Sequence, residues 1–329
     1  MNIAINGFGR IGRSAARIII DRGGQLVAIN DLADNQTLAH LFKYDSNYGT
    51  LSREVGYDQG HLLVDGKKII CLGEKDPEKL PWEKLKIDVV LECTGRFTDR
   101  ESAAAHLRAG AKRVIISAPA KGDGIPTHIV AVNDDQVGDS PIINNASCTT
   151  NSVAGVAAIL QQHFGIAKAT MTTIHSYTQD QNLQDAPHAD LRRSRAAAEN
   201  IVPTTTGAAI STTEVIPELK GLFDGLAIRV PTPIVSLSDM TFLLKKPTSV
   251  EEVNQLFIEA STKAPYQGIL AVSDKPLVSS DFKGHPASAI VDLGLTKVID
   301  GDLVKVICWY DNEFGYANRL VELAEKLGG

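Results

Sequence analysis

Cysteine is scarce and scattered: the chain has four, Cys71, Cys93, Cys148 and Cys308, without the density of a disulfide scaffold or the paired spacing of a zinc site. Reduced thiols and no bound metal are therefore expected. Runs of lysine or arginine are also missing, and the formal net charge is −6, so nothing draws the chain to nucleic acid as its main partner. The longest apolar stretches are strand-length, too short for a membrane-spanning helix. No basic, hydrophobic leader precedes the strand pattern that starts at Met1, and a cytoplasmic protein without a membrane partner is the expectation. Internal repeats and low-complexity linkers are absent too. What is present, 43% hydrophobic and 22% charged residues in a chain of 329, suits a globular protein of two domains.

The first half alternates strand-like and helical runs. Residues 2–6 read as a strand, 11–21 as a helix and 26–30 as a second strand; the short β-branched runs 88–92, 113–117, 128–132 and 141–144 follow as strands. This rhythm predicts an α/β fold with a doubly wound, Rossmann-type parallel sheet. From Cys148 the pattern changes. A helical run, 152–164, leads into a strand at 169–175 and then into a polar, arginine-rich stretch, 176–200, with too little apolar periodicity for a core element. Strands at 225–230, 238–245 and 289–293 with a helix at 250–263 predict an α+β second domain. The amphipathic run 317–326 is expected to pack back on the first domain. The expected division is a nucleotide domain, 1–147, completed by 312–329, and a catalytic domain, 148–311.

Two motifs carry chemistry. Gly7-Phe8-Gly9-Arg10-Ile11-Gly12 follows a strand and opens a helix. The first glycine permits the tight turn, the second lets backbone approach a pyrophosphate, and the third lets helix and strand pack closely. Glycine-rich turns are common, but here Asp31 ends the second strand 19 residues beyond Gly12, where a carboxylate can accept from the adenine ribose hydroxyls and repel a 2′-phosphate. NAD is the expected cofactor; the competing reading of Asp31 is a solvated turn residue. The second motif is Ala146-Ser147-Cys148-Thr149-Thr150-Asn151, just before a helix. Helix-start N–H groups stabilise a thiolate and can hold an oxyanion or phosphate. Cys71, Cys93 and Cys308 sit in apolar, strand-like contexts and read as small hydrophobes.

With these motifs the chain resembles phosphorylating glyceraldehyde-3-phosphate dehydrogenases over essentially its whole length. The further matches are His175-Ser176-Tyr177-Thr178, Pro203-Thr204-Thr205-Thr206-Gly207-Ala208-Ala209, Arg229-Val230-Pro231-Thr232-Pro233 and Trp309-Tyr310-Asp311-Asn312-Glu313. The resemblance implies that Cys148 attacks the aldehyde of glyceraldehyde 3-phosphate, with His175 as the partner base. The thiohemiacetal would pass hydride to the nicotinamide, and inorganic phosphate would cleave the thioester to 1,3-bisphosphoglycerate. Imidazole titrates near neutral pH, so it could stabilise the thiolate as a cation and take the hydroxyl proton as hydride departs. His106, His128 and His163 lack such support.

By the same resemblance Thr178 and Arg229 would hold the substrate phosphate. Ser147, Thr149, Thr206 and Gly207 would line the inorganic phosphate site with Arg193 nearby, whereas Arg192 and Arg195 read as solvated or subunit-facing charge. Asn312 would bind the nicotinamide carboxamide. Asn6, Arg10, Ile11 and Ser117 would complete the dinucleotide cradle, and Lys75 stands where an arginine often lies near the adenine. The 176–200 stretch would border a neighbouring subunit, implying a homotetramer. Ala186-Pro187 stands where many NAD-specific relatives have a leucine before the proline, leaving room for some NADP use. Ser152 replaces a second cysteine. Erythrose-4-phosphate dehydrogenase is the nearest rival, but its phosphate site lacks the Thr206-Gly207 pair. A noncatalytic nucleotide-binding protein would be marked by loss of Cys148, His175 or Arg229, and all three are present.

Overall fold

Aliphatic residues in Asn2–Asn6 (β1) and Gln25–Asn30 (β2) form adjacent parallel strands joined through helix α1 (Arg10–Asp21). Gly9 caps α1 and, being glycine, offers it no side-chain acceptor. The computed structural model describes residues 1–327; residues 328 and 329 of the expected C-terminal segment lie outside the described residues.

The sheet continues through Val55–Tyr57 (β3), His61–Val64 (β4), Lys67–Leu72 (β5), Val89–Glu92 (β6), Arg113–Ile116 (β7) and Ile142–Asn144 (β8), in the spatial order β8-β7-β6-β1-β2-β5-β4-β3. The strands from β8 to β5 are parallel, as the Rossmann-type reading expects. At the edge the sheet gains antiparallel pairings, with β4 running opposite to both β5 and β3. Asp65 and Gly66, at φ 49° and 76°, turn β4 back on β5 as the paired positive φ of a tight hairpin requires. Helices α2 (Asn35–Lys43) and α3 (Arg100–Arg108) are capped by Asp34 and Asp99, which accept from Thr37 and Ser102 N–H. Trp82, Ile87, Val90, Ala4 and Ala28 form one core cluster, and Ala103, Val114, Ile116 and Ile142 contribute to another.

The strand expected at 128–132 does not form. Ala131 has φ 70°, the Val132 and Asn133 N–H groups donate to Ile129 O, and Asn133 Oδ1 accepts from Ile129 N at 2.8 Å. A local turn thus takes the hydrogen bonds a ladder would need.

The chain divides into two compact units, one made of Met1–His128, Asp134–Ala146 and the chain from Ala317, the other of Ile129–Asn133 and Ser147–Tyr316. The second unit has a mixed sheet of Ile166–Ser176 (β9), Val202–Thr204 (β10), Phe223–Val230 (β11), Ser236–Leu244 (β12), Leu270–Ser273 (β13), Ala289–Asp292 (β14), Lys297–Ile299 (β15) and Leu303–Tyr310 (β16). Its order is β10-β11-β9-β12-β16-β14-β13, with β15 paired to β16. Its helices are α4 (Cys148–His163), α5 (Ala208–Val215) and α6 (Val250–Thr262); α4 is buried almost all round and packs on α5 and on β9, β12, β14 and β16. Residues 177–200 form turns and bends without a strand or helix. The last helix, α7, spans Phe314–Leu327, and from Ala317 it belongs to the first unit, where Arg22 donates to Asn318 and Glu322. No described helix is long and apolar enough to cross a membrane.

Candidate active site

Ser147 is the N-cap of α4: its Oγ accepts from Thr150 N at 3.1 Å and meets Thr150 Oγ1 at 2.8 Å. Cys148 therefore occupies the first helical position, and the residue before the cap, Ala146, is held at φ 50°, a conformation side chains rarely adopt. His175, near the end of β9, places Nε2 3.4 Å from Cys148 Sγ. Its Nδ1 lies 2.7 Å from Ser176 O and 2.8 Å from Arg229 Nη1, which also donates to Ser176 O at 3.0 Å. Strands β9 and β11 are parallel, with His175 registered beside Arg229, so the ladder itself brings the two together.

Electrostatics at this cluster pull in opposite directions. Burial raises the Cys148 thiol, while the Arg229 guanidinium, the Thr149 hydroxyl and the N–H groups of Thr149 and Cys148 lower it. Burial and then Arg229 push His175 down to about 3, with a smaller contribution from Arg193. The charge that favours the thiolate in this arrangement is that of Arg229. If Nδ1–H donates to Ser176 O, Nε2 offers its lone pair to the thiol, as a base must. The other thiols lack such a set of charge-stabilising partners. Burial pushes Cys71 up to about 11, Cys93 up to about 12 and Cys308 higher still.

Tyr310, fully buried, links Thr149 Oγ1 and Thr173 Oγ1, each at 2.9 Å, and Thr173 also donates to Leu237 O. The Thr149 hydroxyl lies between Tyr310 and Cys148 Sγ, 4.0 Å from the sulfur. Arg193 donates to Asp180 at 2.6 Å, Thr204 Oγ1 at 2.9 Å and Thr205 O at 3.1 Å, so it is an internal tie that still contributes to the field at His175. Arg229 Nε, by contrast, is buried with no partner among the described residues. Thr178 is half-buried after β9, and Thr206 Oγ1 accepts from Ala208 N at the start of α5, where Gly207 is the cap.

Asn312 is oriented by two serines that sequence reasoning missed. Ser176 Oγ and Ser236 Oγ donate to its Oδ1 at 2.9 and 3.0 Å, which leaves its amide N–H groups as the donors on offer. Ser236 follows Val235, a β-branched residue at φ 71°. Positive φ is costly for such a side chain, and it marks this corner as built for a purpose.

In the first unit the glycine turn has the shape a dinucleotide needs. Gly7 has φ 93°, and a Cβ there would lie 2.7 Å from Thr94 N; at Gly12 it would lie 2.1 Å from Gly7 O; at Gly9 it would meet nothing within 4 Å. Thus Gly7 and Gly12 are fixed by the protein's own packing, whereas Gly9 clears open space beside the start of α1, as a pyrophosphate requires. Asp31 Oδ2 accepts from Phe8 N at 2.8 Å and Oδ1 from Ala33 N at 3.1 Å, so the carboxylate sits against the turn. Arg10 pairs with Asp45 at 2.6 Å, Ile11 is half-buried in the first turn of α1, Ser117 N donates to Glu92 O, and Lys75 is exposed. Asn6 is 1% exposed, and both ends of its amide are used within the protein. Among the described residues no group of three or more His, Cys, Asp or Glu side chains could hold a metal ion.

A dinucleotide-binding α/β unit and a second unit with a cysteine–histidine–arginine cluster, carried by one chain, define an NAD-dependent oxidoreductase of the aldehyde-oxidising class. Comparison with known proteins gives the family. The sequence model for the glyceraldehyde 3-phosphate dehydrogenase NAD binding domain matches residues 1–100, and that for the C-terminal domain of the same enzyme matches residues 147–312. Glyceraldehyde-3-phosphate dehydrogenase of Geobacillus stearothermophilus is 52% identical over 327 residues, covering 98% of this chain and 97% of the relative. That of Zymomonas mobilis is 50% identical over 331 residues, 99% and 98% of the two chains. The chloroplastic glyceraldehyde-3-phosphate dehydrogenase A of Chlamydomonas reinhardtii is 52% identical over 330 residues, 99% and 88%. The chain belongs to the glyceraldehyde-3-phosphate dehydrogenase family, and NAD is its cofactor.

Proposed function

We propose that this chain oxidises glyceraldehyde 3-phosphate to 1,3-bisphosphoglycerate with NAD and inorganic phosphate, using Cys148 as nucleophile and His175 as base. The observation that carries this reading is Cys148 Sγ at a helix start, 3.4 Å from His175 Nε2, with Arg229 against the same imidazole. Sγ adds to the aldehyde carbon, giving a thiohemiacetal. His175 Nε2 takes its hydroxyl proton as hydride leaves the same carbon, and a thioester remains. NAD supplies the hydride acceptor, with Gly7, Gly9, Gly12 and Asp31 holding its adenosine diphosphate half and Asn312 its carboxamide. Phosphate oxygen then attacks the thioester, the C–S bond breaks, and the thiolate leaves.

Arg229, with a buried donor still unpaired, and Thr178 hold the substrate phosphate. Thr206, Gly207 and Ser147 line the inorganic phosphate site. Thr149 lines it as well, and Arg193, whose donors are taken within the protein, shapes it from behind. Leu183 and Leu191 are 78% and 81% exposed in the 177–200 segment, which supports burial of this segment against another copy and hence a homotetramer; light scattering at a monomer mass would overturn that. The chain works in the cytoplasm on this reading.

The decisive assay follows NAD reduction with glyceraldehyde 3-phosphate, with and without inorganic phosphate, and with erythrose 4-phosphate in parallel. Phosphate-dependent turnover of the three-carbon aldehyde, lost in Cys148→Ser while NAD binding persists, is the expected result. Phosphate-independent activity on the four-carbon aldehyde alone would refute the reading.

A further inference from the structure

Three parallel strands of the first unit end in polar residues set side by side: Asn6 of β1 is registered with Asn30 of β2 and with Glu92 of β6. All three are buried, at 1%, 4% and 1% exposure. Asn30 Nδ2 donates to Asn6 Oδ1 at 2.7 Å, and Asn6 Nδ2 donates to Glu92 Oε2 at 2.6 Å. Beyond Asn30 the chain of bonds reaches the loop after β5, through Glu74 N and O, each at 2.9 Å. Beyond Glu92 it reaches the loop after β6, where Thr94 N at 2.7 Å and Thr94 Oγ1 both donate to Oε1. Behind Glu92 stands His106, whose Nε2 lies 3.0 Å from Oε2 and whose Nδ1 accepts from the Trp82 indole at 3.0 Å. Because Nδ1 accepts, Nε2 carries the proton and donates to Glu92. Glu92 thus receives four donors, two on each oxygen.

Thr94 is also the residue whose backbone N would lie 2.7 Å from a Cβ at Gly7, and Gly7 N donates to Asn30 O. The loops that follow β1, β2, β5 and β6 are therefore pinned to one buried polar line, and these are the loops at the carboxyl ends of a parallel sheet, where such folds bind dinucleotides. We propose that Glu92 is a positioning residue for the cofactor: by holding Thr94 and Asn6 at once it sets the width and shape of the glycine turn before NAD arrives, with His106 donating to its carboxylate from behind. This rests on the reading of Gly7–Gly12 as the NAD turn. Neutral hydrogen-bonding substitutes cannot replace Glu92. In Glu92→Gln the amide NH2 meets Thr94 N and Oγ1 in one orientation, and Asn6 Nδ2 and His106 Nε2 in the other, so a donor faces donors either way.

The test is NAD affinity by titration calorimetry on the full chain, with thermal melting in parallel, for the wild type, Glu92→Gln and Trp82→Phe. Glu92→Gln is expected to weaken NAD about tenfold or more while Cys148 in the NAD-free enzyme is alkylated at the wild-type rate. Trp82→Phe cuts the same line at the end remote from the turn and leaves Glu92 its four donors; it should lower the melting temperature yet hold NAD affinity within about twofold. Equal weakening in both variants would mean that the line acts through stability alone and would overturn the proposal, as would unchanged affinity in Glu92→Gln. Should Glu92→Gln fail to fold, Thr94→Val removes one donor from Oε1 and is expected to weaken NAD about threefold; no change there also overturns it. A wild-type chain that binds no NAD would instead bring down the cofactor reading, and this inference with it.

Discussion

Arg229 makes the sharpest claim on the chemistry, because it lies against the base rather than only near the substrate. Its Nη1 is 2.8 Å from His175 Nδ1, and it is the second cause, after burial, of an imidazole held down to about 3. Charge centres about 4 Å apart interact by about 4 kcal/mol at an effective dielectric constant of about 20, equivalent to about 3 pKa units. Replacing the guanidinium with leucine removes that repulsion but keeps the larger burial penalty. Water entering beside the smaller side chain halves the gain, leaving an expected rise of about 1 to 2 units. The measurement is a side-chain NMR titration of His175 in a Cys148→Ser background, where no thiol proton competes, with and without Arg229→Leu. The chain has eight histidines, and His175→Asn identifies the resonance. A midpoint that Arg229→Leu leaves unmoved, or one already near 6.5 with Arg229 in place, would refute the claim that Arg229 sets the proton affinity of the base. The same substitution removes a cation that lowers the Cys148 thiol, so alkylation by neutral iodoacetamide at pH 7 should slow.

Since His175 is lowered from 6.5 to about 3 on folding, the unfolded chain binds a proton between those limits that the folded chain refuses. Stability from this group is complete above pH 6.5 and is lost as pH falls, by about 2 kcal/mol at pH 5; urea melts of His175→Asn should show a flatter pH dependence than wild type, and parallel curves would contradict this. Gly9→Ala should fold with a near-normal melting temperature but bind NAD poorly, because its methyl meets no protein atom within 4 Å, whereas Gly12→Ala meets Gly7 O at 2.1 Å and should melt early. The reverse pattern would mean the turn is misread. Asp31→Ser is expected to lower the ratio of kcat/KM for NAD over NADP about tenfold; an unaltered ratio would take Asp31 out of cofactor choice.

Much of this was legible in the sequence where a local rule sufficed. Residues 2–6 form the strand their pattern predicts, and the glycine spacing locates the turn, because glycine requirements and strand periodicity are properties of a few adjacent residues. The start of α4 was legible for the same reason: Ser147 is a cap residue one position ahead of Cys148, and its hydroxyl does cap α4. Two hairpins escaped, although Asp65-Gly66 and Asp300-Gly301, with paired positive φ, are strong turn signals that could have revealed β4, β5, β15 and β16. The strand expected at 128–132 failed because Asn133 offers the backbone a side-chain acceptor, a competition that periodicity does not register. Other features had no local signal. The serines that orient Asn312 lie 136 and 76 residues from it in sequence, and the lowered proton affinity of His175 arises from strand register and burial. Neither is written in the residues around His175 or Asn312.

The helix starts proposed to hold the cofactor and the thiolate are finished differently, and the difference fits what each would hold. At α1 the cap is Gly9, which has no side-chain acceptor and leaves open space; a cap side chain at this position would compete with the pyrophosphate for the same N–H groups and would have to be displaced each time the cofactor exchanged. At α4 the charge to be stabilised is a permanent part of the chain. Ser147 can take the Thr150 N–H because the N–H groups of Cys148 and Thr149 are the ones that lower the thiol. Capping then tightens the turn that carries the sulfur without taking the donors it uses. The backbone strain at Ala146 lies one residue before that cap, where a fixed chain direction aims Sγ at His175. An exchanging anion is served by a cap residue without a side-chain acceptor, and a resident thiolate by a cap residue that has one.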